Sequence, residues 1–111
     1  MTTFAVLYDL AAKYFHNKGY KTEQNILLEG VSGMSHRFDF LITKSNEQRV
    51  VQVFDWRRTV GVNIVINLDK ASEDVGFRRP IIISEKFSSH AKAYANRKGI
   101  LLLTRRELNK F

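Results

Sequence analysis

The chain has 111 residues, 44% of them hydrophobic, which is enough for one core and too few for two. It contains no cysteine, so disulfide frameworks and thiolate metal sites, zinc fingers among them, are excluded. Against 11 Asp and Glu stand 18 Lys and Arg, a formal charge of +7, so the natural partner is a polyanion: nucleic acid ahead of an acidic protein or an anionic membrane.

Met1-Thr2-Thr3-Phe4 lacks the basic region and apolar run of a signal peptide, and no apolar run reaches the length of a membrane span. The expectation is a soluble, cytoplasmic protein. From Thr3 to Asn17 the apolar residues Phe4, Leu7, Leu10, Ala11, Tyr14 and Phe15 recur at helical spacing, with Thr2 or Thr3 as N-cap and Gly19 to end the helix. Tyr20 to Leu28 alternates as a strand, and Glu29-Gly30-Val31-Ser32-Gly33 has the composition of a turn. His36 to Thr43 is a second strand, joined through Lys44-Ser45-Asn46-Glu47 to an antiparallel third spanning Arg49 to Trp56.

Val60, Ile64, Leu68, Ala71 and Val75 repeat every three or four residues and predict a helix over Val60 to Val75, despite its β-branched content. Pro80 to Ile83 reads as a short buried strand. Ser88 or Ser89 caps a helix through Arg97 that Gly99 closes. Ile100 to Leu103 is a last buried strand, and Thr104-Arg105-Arg106-Glu107 is a capping box opening a short helix. The fold class is α/β: one domain over residues 1–111, with a central mixed sheet flanked by helices in the order α-β-β-β-α-β-α-β-α. The last strand-helix-strand unit requires a right-handed crossover.

If the second and third strands are regular, alternation places Asp39 on one face of the former, and Gln52 and Phe54 together on one face of the latter. A carboxylate, an amide oxygen and a phenyl ring then converge. The first two suit a hard cation and the third cannot ligate one.

This order of elements, with an acid in the second strand and an amide in the third, resembles the PD-(D/E)xK nuclease superfamily, the restriction-endonuclease-like fold. Within it the likeness is to the Mrr-type restriction endonuclease catalytic domain. That family's Gly-rich turn and Asp strand correspond to Gly33 and Asp39, and its Gln-x-Lys strand followed by Trp corresponds to Gln52, Val53, Phe54 and Trp56. Thr59 to Val62 and Phe87 to Ile100 also resemble its second half, so the likeness runs from Phe4 to Leu108.

The resemblance implies a DNA-binding protein, with double-stranded DNA as partner and a Mg2+ or Mn2+ ion held by Asp39 and Gln52 beside the scissile phosphate. Phe54 departs from the pattern. The family's lysine positions the attacking water and stabilises charge developing on phosphorus, and a phenyl ring does neither. Lys70 on the following helix is the candidate for a relocated catalytic amine. Arg57 or Arg58 can contact phosphate or supply the missing positive charge, although arginine is a poor proton shuttle. The turn residues Ser32 and Ser35, with His36, Arg78 and Arg79, complete the candidate DNA-binding set. Double-strand cleavage by so small a domain implies a homodimer.

The alternative is a catalytically inactive module that binds nucleic acid or a protein partner in a structural or regulatory role. Each residue also has a plain structural reading. Asp39 can pair with Arg37, Gln52 can be a hydrogen-bonded core amide, and Asp55, on the opposite face from Gln52, suits a capping or salt-bridged role. Glu29 and Asp9 are further carboxylates without a clear motif match, and His16 and His90 look like helix-surface residues.

Overall fold

The computed structural model describes residues 6–55 and 57–110. Helix α1 (Leu7–Asn17) buries Leu7, Ala11 and Phe15, one stripe at the i, i+4 spacing that its sequence carries. The expected caps Thr2 and Thr3 lie outside the described residues, as does Trp56. Val6 takes the N-cap position without a side-chain hydrogen bond. Instead, Asp55 reaches across from the end of the third strand and accepts the Leu7 N–H at 3.0 Å. A carboxylate there meets both an orphan donor and the positive end of the helix dipole, which is the capping role that alternation leaves to Asp55. Gly19 supplies the left-handed turn out of the helix at φ 88°.

Strands β1 (Lys21–Glu29), β2 (Ser35–Lys44) and β3 (Glu47–Phe54) form the expected antiparallel meander. After α2 (Val62–Asp74) the chain returns as β4 (Ile81–Ser84), parallel to β3, and after α3 (Ser89–Lys98) as β5 (Leu101–Leu103), parallel to β4. The strand order is therefore β1-β2-β3-β4-β5, a mixed α/β sheet, and α4 (Arg105–Leu108) ends the described elements. Helix α2 starts two residues later than periodicity suggests. Val60 is held instead in a parallel bridge with Phe87, donating to the Lys86 carbonyl and accepting from the Ser88 N–H.

The short closing elements are held by their caps. Ser88 accepts the Ala91 N–H at 3.1 Å, and Gly99 closes α3 at φ 71°. Glu107 accepts from both the backbone N–H and the hydroxyl of Thr104, at 2.7 and 2.6 Å. Those bonds favour the ionised form and hold its carboxyl below the usual range.

Helices cover both faces of the sheet. Leu7, Ala11 and Phe15 of α1 and Leu108 of α4 pack on Phe40, Ile42, Val51, Ile81 and Ile83. On the other face Val65 and Leu68 of α2 and Ala91 and Ala95 of α3 pack on Phe38, Leu41, Val50 and Ile82. Strand β4, buried at all four positions, lies between the two layers.

Candidate functional site

Strand β3 alternates regularly: Val50 and Phe54 pack toward α2 and α3, Val51 and Val53 toward α1. Strand β2 does not. Phe38 packs on the α2 side while Phe40, two residues on, packs on the α1 side. The pleat slips at Asp39, and opposite it on β1 sits Asn25, left-handed at φ 54°. Ladder pairing between β2 and β3 ends at Phe40↔Val51. Beyond it the Asp39 carboxylate takes the place of a strand carbonyl, its Oδ2 accepting the Val53 N–H at 2.7 Å. Its Oδ1 lies 3.8 Å from the Arg37 guanidinium, which also donates to the Asn25 side chain.

Gln52 and Phe54 meet where alternation places them, on the face toward α2. There they line a cavity of about 380 Å³ together with Ser35, His36, Arg37 and Phe38 of β2 and the α2 stripe Ile64, Asn67, Leu68 and Ala71. Asp39 is not among the lining residues, because the slip in the pleat turns its carboxylate into the gap between β2 and β3. The Gln52 Oε1 atom is buried without a hydrogen-bond partner, an expensive state for an amide oxygen. A second such atom is the Ser84 hydroxyl on β4, whose residue pairs with Phe54.

The rim of this cavity is fixed by a residue that the sequence reading passes over. Asp74, at the end of α2, accepts the Ser32 N–H at 3.0 Å and the Ser32 hydroxyl at 2.6 Å, and His36 Nε2–H donates to it at 2.7 Å. The Ser32 and His36 hydrogen bonds lower its pKa below the ordinary carboxylate value. Its own backbone carbonyl accepts the Val31 N–H. A Cβ at Gly30 would stand 1.9 Å from the Asp74 carboxylate, so only glycine admits this close approach. An acid in the last turn opposes the helix dipole, and that anomaly is the signal by which Asp74 was open to detection.

The other predicted site residues are spread out. Lys70 is exposed on α2 and does not line the cavity. Ser35 lines it, whereas Ser32 is engaged by Asp74. Arg57 and Arg58 are exposed just past the carboxyl end of β3. Arg78 and Arg79 line a separate hollow with Glu47 and Gln48, at the other end of that eight-residue strand. That separates them from the Phe54 end by about 23 Å. Arg79 stays there through a 3.5 Å ion pair with Glu47 and through its carbonyl, which accepts from Arg49 Nε at 2.7 Å.

The Mrr-type catalytic family described as restriction endonuclease matches residues 3–111. No curated protein matches the chain. Among solved structures, a protein of unknown function, AF1548, superposes with a TM-score of 0.77 at 21% identity, over 87% of this chain and 55% of that one. Protein VC1899 from Vibrio cholerae gives 0.64 at 13%, over 91% and 29%. A repair endonuclease from Pyrococcus abyssi gives 0.58 at 17%, over 95% and 48%. The chain thus spans between about a third and a little over half of these proteins, and at such identities the likeness is one of fold.

Proposed function

This chain belongs to the restriction endonuclease family, and we propose that it serves as a double-stranded-DNA-binding domain that holds the duplex without cutting it. The observation that carries this reading is Phe54, which shares the cavity with Gln52 at the position where the resemblance places lysine. Among the described residues that line the cavity there is no amine, and the basic side chains there are His36, hydrogen-bonded to Asp74, and Arg37. Arginine stays charged and cannot exchange a proton as lysine does, and His36 is held at the cavity rim by its hydrogen bond to Asp74.

The donor set also does not fit a catalytic Mg2+ or Mn2+. Asp39 has one oxygen tied to Val53 and the other beside Arg37, and Gln52 adds one neutral amide oxygen. Among the described residues no three His, Cys, Asp or Glu gather to hold a metal. Binding has better support. The charge of +7 favours a phosphate backbone through counterion release, and Arg37, Arg57 and Arg58 are exposed around the carboxyl end of β3. A domain that does not cleave both strands has no need of the second copy that cleavage implies.

The test is plasmid retention and cleavage with Mg2+ and with Mn2+, for the wild type, Asp39→Ala and Lys70→Ala. The expected result is retention that weakens as salt rises, with no nicking by any of the three. Cleavage by the wild type that disappears in Asp39→Ala would overturn the non-cutting reading, and loss in Lys70→Ala would identify the relocated amine. Absence of retention at low salt would reject DNA binding and leave a protein-interaction module.

A further inference from the structure

We propose that the cavity between β2, β3 and α2 receives a single unstacked nucleobase. The inference rests on the DNA-binding reading and adds what the pocket takes. Its apolar lining comes from Phe38 and Phe54 of the sheet and from Ile64, Leu68 and Ala71 of the helix, and since Phe38 is 1% exposed the ring open to a ligand is that of Phe54. Its polar lining, Ser35, His36, Arg37, Gln52 and Asn67, includes two amides of the kind that recognise the edge of a base. No carboxylate is among the described lining residues, so a cation finds no usual partner there, while the exposed Arg37 suits the phosphate that flanks an extruded base. A planar heterocycle matches both halves of the lining, since its face can pack on the Phe54 ring and the aliphatic stripe of α2 while its edge carries N–H donors.

Two features give this a direction. The Gln52 oxygen has no hydrogen-bond partner among the described residues and is closed off from solvent, while the rest of this half-buried side chain lines the cavity, so turning the amide outward would let a ring or exocyclic N–H supply the missing donor. Beside the lining residue Ser35, the β1-β2 turn presents Met34, 63% exposed, and Val31, 94% exposed. Asp74 holds this apolar tip in place through Ser32 and the Val31 N–H. Apolar side chains on a fixed tip are suited to rest against an opened base step. A base already unpaired costs least to bring out of the stack, so a duplex with one unpaired base is the preferred ligand.

Fluorescence anisotropy would compare a fully paired duplex with the same duplex carrying one unpaired adenine, titrated against the wild type, Gln52→Leu and Ala71→Phe. Gln52→Leu removes the acceptor at nearly constant volume, and Ala71→Phe fills the cavity, with melting curves to establish that both variants fold. The wild type is expected to hold the unpaired duplex about tenfold more tightly, and that ratio should fall toward one in either variant. With 2-aminopurine as the unpaired base, binding to the wild type should change its emission, and binding to Ala71→Phe should not. Equal affinity of the wild type for the two duplexes overturns the base pocket and leaves DNA binding standing. A preference that persists in both variants also overturns it, by locating recognition elsewhere. Failure to bind either duplex at low salt overturns both readings.

Discussion

The two faces of the sheet are built from similar side chains and do different work. Against α1 and α4, Leu7, Ala11, Phe15, Phe40, Ile42, Val51, Ile81, Ile83 and Leu108 are all at most 1% exposed, and Tyr8 stacks on Phe40 at 4.6 Å. Against α2 and α3 the packing includes buried Asp69 and Ser72, both hydrogen-bonded, the two unpartnered atoms of Gln52 and Ser84, and the open cavity. The first face is a closed apolar layer that supplies stability. The second gives up part of that packing and keeps polar groups and open space at its surface, the composition the proposed base pocket requires. The difference teaches that a phenylalanine means different things on the two sides. Phe40 is sealed in the core, and Phe54 is the wall of a cavity.

That contrast is testable most sharply by truncating both rings. Phe40→Ala should destabilise the domain by about 3–5 kcal/mol, the usual cost of removing a fully buried ring and leaving a cavity. Phe54 is half-buried, packed against the α2 and α3 core on one side and lining the cavity on the other, so Phe54→Ala should cost less, about 1–2 kcal/mol. Urea denaturation of the two variants measures this. Equal losses would show that the α2 face is as tightly packed as the α1 face and would remove the distinction.

A smaller effect should appear in acid, and on one face only. The Asp74 carboxyl lies below its ordinary value because of the Ser32 and His36 hydrogen bonds, so it binds a proton more readily in the unfolded chain than in the folded one. Its contribution is fully present above the ordinary carboxylate pKa, about 3.9, and is lost as pH falls through the lower folded value. Hydrogen exchange of the Val31 to Met34 amides should therefore speed up at the acid end relative to β4, and Asp74→Asn should show that loosened turn already at neutral pH. Unchanged protection of the turn in Asp74→Asn would mean that the rim does not depend on this residue.

Much of this contrast was legible in the residues, and what was not has a physical cause. Periodicity finds α1, α2 and α3 because each buries a stripe, and Ser88, Gly99 and Glu107 mark helix ends because their chemistry satisfies orphan backbone groups locally. Alternation likewise brings Gln52 and Phe54 to one face, and leaves Asp55 free to cap α1. It cannot place Asp39, since the slip in the pleat is shared with Asn25, fourteen positions away in the chain and adjacent only across the strand pair. The role of Asp74 was hidden for the same reason. It acts on a turn 42 residues earlier. Arg78 and Arg79 look like partners of Arg57 and Arg58 in composition, but the parallel return to β4 carries them to the far end of the sheet.

The smallest expected effect concerns the other unpartnered atom. Ser84 is fully buried in β4, paired with Phe54 across the parallel ladder, and its hydroxyl makes no hydrogen bond among the described residues. A buried hydroxyl without a partner pays desolvation and gains nothing in return, so Ser84→Ala should be neutral or stabilise the fold by up to about 1 kcal/mol. Gln52→Leu should behave alike in stability, since both atoms are orphans on adjacent strands of the sheet face that carries the cavity. The two should differ in binding, because Gln52 lines the cavity and Ser84 does not. Denaturation and DNA titration of Ser84→Ala together decide the point. A clear loss of stability would mean that the hydroxyl is satisfied within the fold, and a loss of binding without one would extend the site from β3 onto β4.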